Sequence, residues 1–229
     1  MYLYETHLHT MPVSKCARAD AKEVVEFYKS LGYSGIFITN HFIDGNINID
    51  KTAPYKEKIE FYFSDYELAK ELGEKNGLDV FLGIEMSYGG TDFLVYGLDK
   101  EWFLSHPEIE SMKKSDELAF MASEGALIIQ AHPFREAAYI DHIRLFPRRV
   151  HGVEIYNADR TDFENGLAKQ YSDNYSLLHF AGSDNHVGKS QIKLGGMSFS
   201  SPIKNEADFV TRIKSGDGSV FCKNLESDG

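Results

Sequence analysis

Five short apolar runs in this chain end on histidine, glutamate or aspartate, the side chains that bind divalent metals. Tyr2-Leu-Tyr-Glu-Thr leads into His7-Leu-His9, and Gly35-Ile-Phe-Ile-Thr-Asn leads to His41. Val80-Phe-Leu-Gly-Ile runs to Glu85, Ala126-Leu-Ile-Ile-Gln-Ala to His132, and Leu177-Leu-His-Phe-Ala-Gly-Ser to Asp184-Asn-His186. Alternate side chains on a strand share a face, so His7 and His9 can reach one ion. An isolated His-x-His is a weak signal, and any one of these histidines would also suit a hydrogen-bonded core or loop position. Five of the nine histidines at strand ends, joined by two carboxylates, make a stronger one. Folds of alternating strands and helices bring strand ends together on one face, so the expected chemistry is hydrolysis by water activated on metal. His106, His142, His151 and His179 have no such surroundings and are not expected as ligands.

The elements that must position these residues are legible from periodicity. Ala19 to Leu31 places Val24, Val25, Tyr28 and Leu31 on one helical face, with Asp20 near its start and Gly32 after its end. Further helices are expected over residues 55–75, 111–124, 161–171 and 205–214. Strands are expected at about residues 2–6, 35–39, 79–84, 93–97, 126–131, 152–156 and 177–182, with a further short run at Ser219-Val-Phe-Cys. Most are continuous apolar runs, as parallel strands buried on both faces require. Seven strand–helix units suggest a closed or nearly closed barrel, with an open doubly wound sheet as the alternative. Gly195-Gly196 reads as a turn, and no GxGxxG follows a strand to support a nucleotide-cofactor oxidoreductase. The polar stretch 42–54, just after His41, is placed to cover the site, and Glu226-Ser-Asp-Gly reads as a frayed tail.

The 229 residues suit a single α/β domain, and the formal charge of −11 argues against stable nucleic-acid binding. Divalent ions in an acidic pocket would reverse the sign locally. No apolar stretch approaches the ~20 residues needed to cross a bilayer, and no targeting segment is expected before the first strand. With only Cys16 and Cys222, a disulfide framework is not expected and a cytoplasmic location is.

Taken in order, His7-x-His9, Thr39-Asn-His41, Gly83-Ile-Glu85, Ala131-His-Pro-Phe-Arg135, Gly152-Val-Glu-Ile-Tyr-Asn157 and Gly182-Ser-Asp-Asn-His186 resemble the PHP (polymerase and histidinol phosphatase) family, over about residues 2 to 200. The resemblance implies an α/β fold, a distorted seven-stranded, TIM-barrel-like barrel with its active site at the strand C-terminal ends. It implies two or three divalent transition metal ions, and Zn, Mn or Fe suit the mixed imidazole and carboxylate donors. Carried over by position, His7, His9, Glu85 and Asp184 would hold the first ion, Glu85 would bridge to a second that also takes His132, and His41 and His186 would hold a third. The catalytic water would be held on metal by His7, His9, Glu85, His132 and Asp184.

Two positions depart from that pattern. Where many members carry a His or Asp for the third ion, Thr10-Met-Pro-Val-Ser-Lys-Cys16 has neither; Cys16 could substitute as a soft ligand or be a buried small apolar residue. The fourth strand offers only Asp92 to the second ion, and a strand-entry aspartate is the alternative. Arg135, three residues after His132, is the expected phosphate-binding group, with Arg160 and Lys15 as further candidates and a plain surface arginine as the alternative. Glu154 is placed either to accept from a metal-bound histidine or to pair inside the barrel.

The expected activity is hydrolysis of a small phosphomonoester or nucleotide-like substrate: histidinol phosphate, a short nucleic-acid end or a nucleoside bisphosphate. An amidohydrolase-type barrel also begins with His-x-His, but it calls for a bridging carboxylated lysine and a single final Asp. A non-catalytic barrel kept for binding or regulation is the third reading, motivated by the residues around Cys16.

Overall fold

The computed structural model describes residues 1–225, so the tail from Glu226 lies outside the described residues. Nine strands form one sheet in the order β7-β6-β5-β4-β3-β2-β1-β8-β9. They are β1 (Tyr2–Glu5), β2 (Gly35–Ile38), β3 (Asp79–Tyr88), β4 (Thr91–Tyr96), β5 (Leu127–Ala131), β6 (Gly152–Asn157), β7 (Leu178–Gly182), β8 (Lys193–Phe199) and β9 (Ser219–Asn224). The helices are α1 (Ala21–Ser30), α2 (Tyr55–Asn76), α3 (Lys100–Ser105), α4 (Lys114–Ser123), α5 (Asp162–Tyr175) and α6 (Glu206–Lys214).

Local chemistry starts the helices where periodicity places them. Asp20 caps α1 by accepting from the Glu23 N–H at 2.8 Å, and Thr161 and Glu164 form a reciprocal box at the start of α5. The buried face of α1 is Ala21, Val24, Val25 and Tyr28. No helix among the described residues is long and apolar enough to cross a membrane.

The sheet corrects the expectation of seven repeating units. β1, β2 and β3 are parallel, but β4 runs antiparallel to both β3 and β5. Only Gly89 and Gly90, both at positive φ, separate β3 from β4, too short a link for the crossover that a parallel pair needs. β8 is a strand the periodicity reading missed. It lies antiparallel to β1, and Gly195 and Gly196, expected to be a turn, sit in its middle. The glycines are there because chains cross closely. A Cβ on Gly195 would come 2.6 Å from the Gly182 carbonyl oxygen, and one on Gly196 2.2 Å from that of Tyr4. Without side chains at these two positions, the apolar pattern of a strand is broken.

The ends of β1 and β7 close the barrel on one rim. Leu8 and Asn185 form a parallel bridge, with the His9 N–H donating to the Asn185 carbonyl at 2.9 Å. Lower down, β8 wedges against β1. The interior there is filled by Tyr4, Phe37, Phe81, Tyr96 and Phe180 with Phe209 of α6, all buried. Aromatic packing plugs one end, and the polar strand ends converge on the other.

Candidate metal centre

Each of these strand ends delivers its candidate ligand to the same place. His7 Nε2 lies 3.1 Å from Glu85 Oε1 and 3.4 Å from Asp184 Oδ1. His9 Nε2 lies 3.3 Å from Asp184 Oδ1, His132 Nε2 3.2 Å from Glu85 Oε1, and His41 Nδ1 2.6 Å from Glu85 Oε2. Glu85 thus stands between His7 and His132 on one oxygen and His9 and His41 on the other. Among the described residues, three groups have potential ligand atoms mutually within 4.8 Å: His7, His9 and Asp184; His7, Glu85 and His132; His9, His41 and His186. The divalent metals implied by such donors fit this pocket on a direct observation. His7 Nε2, His9 Nε2, His41 Nδ1 and Glu85 Oε2 are buried without a hydrogen-bond partner, although they crowd one another. Orphaned lone pairs in a dry pocket are costly unless they share a cation.

The neighbours of these ligands set their tautomers. His7 Nδ1 donates to Glu154 Oε1 at 2.9 Å, which leaves the Nε2 lone pair facing the centre. Glu154 Oε2 also accepts from the His132 N–H at 3.0 Å and from Asn157 Nδ2 at 2.9 Å. Of the two places foreseen for Glu154, the structure shows the one beside a candidate ligand histidine. His9 Nδ1 meets Ser14 Oγ at 3.1 Å, while that hydroxyl donates to Asn40 Oδ1 and accepts from the His41 N–H. Two candidate ligands leave their strands strained: His132 has φ 25° and Asp184 φ 53°. Each such residue costs roughly 1–3 kcal/mol, and the Glu154 bond to the His132 amide helps hold one of them.

Burial opposes ionisation of the two central carboxylates, yet His41 and His7 beside Glu85, and His7 and His9 beside Asp184, hold both well below the usual carboxylate range. Burial likewise opposes charge on His7, but Asp184, Glu154 and Glu85 push it well above the usual histidine range. His9 goes the other way: burial, with His186 and His41 nearby, keeps it neutral and ready to ligate.

A cavity of about 590 Å³ opens over the centre, lined by Cys16, His41, Asp92, Arg135, Asp184 and His186 among others. Asp92 is opposite Ala131 in the β4–β5 register, which sets it beside His132 at 3.9 Å. It is also ion-paired with Arg135 Nη2 at 2.9 Å. Arg135 therefore reaches the cavity, and its guanidinium packs over the Tyr139 ring. Arg160 does not line the cavity. It follows Asn157, where the chain turns outward toward α5, and pairs with Asp159 instead. Lys15 is exposed and also outside the cavity wall. Cys16 is exposed as a residue rather than a buried apolar one, but its Sγ, 3.2 Å from His41 Nε2, is partly shielded; that shielding works against its ionisation, while His186 and His41 bring the thiol down to about 6. The 42–54 stretch contributes Asp44, Gly45 and Asn46 to the wall, while Phe42, Ile43 and Ile47 are buried. A second cavity of about 640 Å³ shares Asp44 and Ser87 with the first and is lined by Phe42, Ile109, Met112, Phe146 and Lys114 among others.

Several site-building residues escaped the sequence reading. Glu5 is fully buried and accepts from the backbone N–H groups of Thr6, His7 and Ser183 and the hydroxyls of Ser183 and Tyr28. Burial pushes it up to about 7 despite those bonds. It ties the ends of β1 and β7 together beneath the ligands. A glutamate in an apolar run was the available signal. Ser14, Asn40 and Asp44 carried none, because short polar residues after strands are ordinary loop composition.

No family model and no curated protein matches the sequence. Solved structures do match. One is a two-domain protein from Bacteroides vulgatus containing a predicted PHP-like metal-dependent phosphoesterase, with TM-score 0.69 and 14% identity over 96% of this chain. This chain spans 64% of that protein's length. PsfC from Pseudomonas syringae matches with TM-score 0.59 and 15% identity, over 97% of this chain and 91% of its own. An amidohydrolase from Chromobacterium violaceum, solved with bound sulfate and no metal, matches with TM-score 0.56 and 11% identity over 99% of both chains. With a nearly closed sheet and candidate ligands gathered at one rim, the chain shares the fold of these structures, among them one containing a predicted PHP-like domain.

Proposed function

We propose that this protein is a metal-dependent phosphoesterase that hydrolyses a small phosphomonoester or nucleotide-like substrate. The observation that carries the reading is the convergence of His7, His9, Glu85, His132 and Asp184 beside the Arg135 guanidinium, with His7 Nε2, His9 Nε2 and Glu85 Oε2 unpartnered. Divalent ions bound by this set supply Lewis acidity and lower the pKa of a coordinated water. The chain's own groups do the rest. Glu154 and Ser14 hold His7 and His9 in the tautomers that face the centre. Arg135, held by Asp92, presents N–H donors toward an anion bound over the ligands, a geometry suited to phosphate oxygens. Its unpartnered, buried Nε has bonding capacity left. The adjoining 640 Å³ cavity has room for the leaving group.

The likeness to an amidohydrolase gives that activity a specific observation in its favour. Against it, no lysine is among the residues lining the metal cavity, so the carboxylated bridge of that class has no candidate. A panel of phosphorylated metabolites and cyclic amides, each assayed with Mn²⁺ and with Zn²⁺, separates the two. Phosphate release from at least one monoester is expected. Amide hydrolysis without phosphate release would overturn the reading, and inactivity on both classes in protein carrying its metals would favour a binding role.

A further inference from the structure

We propose that Cys16 is a thiolate ligand, completing with His41 and His186 a third cation position that selects zinc and differs chemically from the carboxylate-bridged pair around Glu85. The proposal rests on the metal-centre reading above and adds to it which donor sets apart one position.

Three independent contacts gather the set. Cys16 Sγ is 3.2 Å from His41 Nε2, close to the about 3.5 Å expected between a sulfur and a nitrogen on one tetrahedral zinc. The thiol and the His186 side chain line the same cavity wall. His9, His41 and His186 offer nitrogens within 4.8 Å of one another, and the His9 and His186 rings stack at 4.0 Å. The fully buried Nε2 of His9, 3.3 Å from Asp184 Oδ1, borders this cluster too and has no hydrogen-bond partner, so the two candidate positions adjoin at that ring.

The loop that carries Cys16 is anchored on the ligands themselves. The Ser14 hydroxyl bonds His9 Nδ1 and the His41 N–H, and the Arg18 N–H donates to the His186 carbonyl at 2.7 Å. Cys16 lies between these two anchors, so its sulfur is held against the histidines. Carboxylates border every position, since Asp184 Oδ1 lies 3.4 Å from His186 Nδ1 and Glu85 Oε2 2.6 Å from His41 Nδ1, so what sets this position apart is its sulfur donor. Soft sulfur favours zinc over manganese, while carboxylate and imidazole accept either. Because Cys16 is exposed, this is also the position most open to solvent.

The test uses the full chain, stripped with chelator and titrated anaerobically with Co²⁺. The expected result is a near-ultraviolet thiolate-to-cobalt charge-transfer band in the wild type. Cys222→Ser should keep the band, since that residue lies on the edge strand β9. Cys16→Ser should lose it together with one bound equivalent, while visible cobalt bands from the remaining ions persist. Cys16→Asp should recover the equivalent without the band and weaken zinc preference over manganese by more than about tenfold at that position. Bound cobalt without a charge-transfer band, or Cys16→Ser with unchanged stoichiometry, overturns the thiolate assignment and leaves the phosphoesterase reading standing. Failure to bind cobalt at all overturns both.

Discussion

Replacing Glu154 with glutamine tests the centre without touching a ligand. One carboxylate oxygen accepts from His7 Nδ1 at 2.9 Å, and the other from the His132 N–H at 3.0 Å and Asn157 Nδ2 at 2.9 Å. An amide can keep only one acceptor. If its oxygen serves His7, its NH₂ group faces two donors; if it serves the donors, His7 loses the bond that sets its tautomer. The full negative charge that raises the basicity of His7 is lost in either case. Such neighbours of metal ligands are worth roughly tenfold to a hundredfold in affinity, or about 1.4–2.7 kcal/mol. An unsatisfied buried donor adds about 1–3 kcal/mol of lost stability. Competition between chelator-stripped protein and a zinc indicator should show affinity reduced by that factor, with thermal unfolding lowered. Affinity within about threefold of wild type, in a variant with the wild-type circular dichroism, would refute the idea that Glu154 organises the site.

His9→Ala should lose both bound metal, by elemental analysis, and turnover; normal turnover would remove the centre from the mechanism. Arg135→Gln should raise KM by roughly tenfold to a hundredfold, from the about 1.5–3 kcal/mol of a hydrogen bond to a charged group, with metal content kept; an unchanged KM would assign Arg135 to Asp92 alone. Metal uptake should strengthen as pH rises. The carboxylates around His7, and Glu85 beside His41, hold protons on those rings above the usual histidine range, and metal must displace them. Titration calorimetry in buffers of different ionisation enthalpy should show net proton release near neutrality; uptake or no exchange would contradict the sign.

The sequence by itself determined the donors and their strands. His7 and His9 share a face because a strand repeats every two residues, and Glu85, His132 and Asp184 follow apolar runs long enough to be buried strands. Those features are local, so they survive in one dimension. Tertiary structure decided what depends on distant backbone. β8 was hidden because Gly195 and Gly196 give up side chains where chains cross, and the direction of β4 was set by a two-glycine link. Arg135 was brought to the cavity and Arg160 turned away from it, though both follow strand ends, because register placed Asp92 beside the first and Asp159 captured the second. Glu5 was unreadable as the brace beneath the ligands, since three of its donors come from Tyr28 and Ser183, and the Ser183 contacts lie 178 residues away. Pattern follows from neighbours along the chain, whereas charge pairing and tautomer follow from neighbours in space.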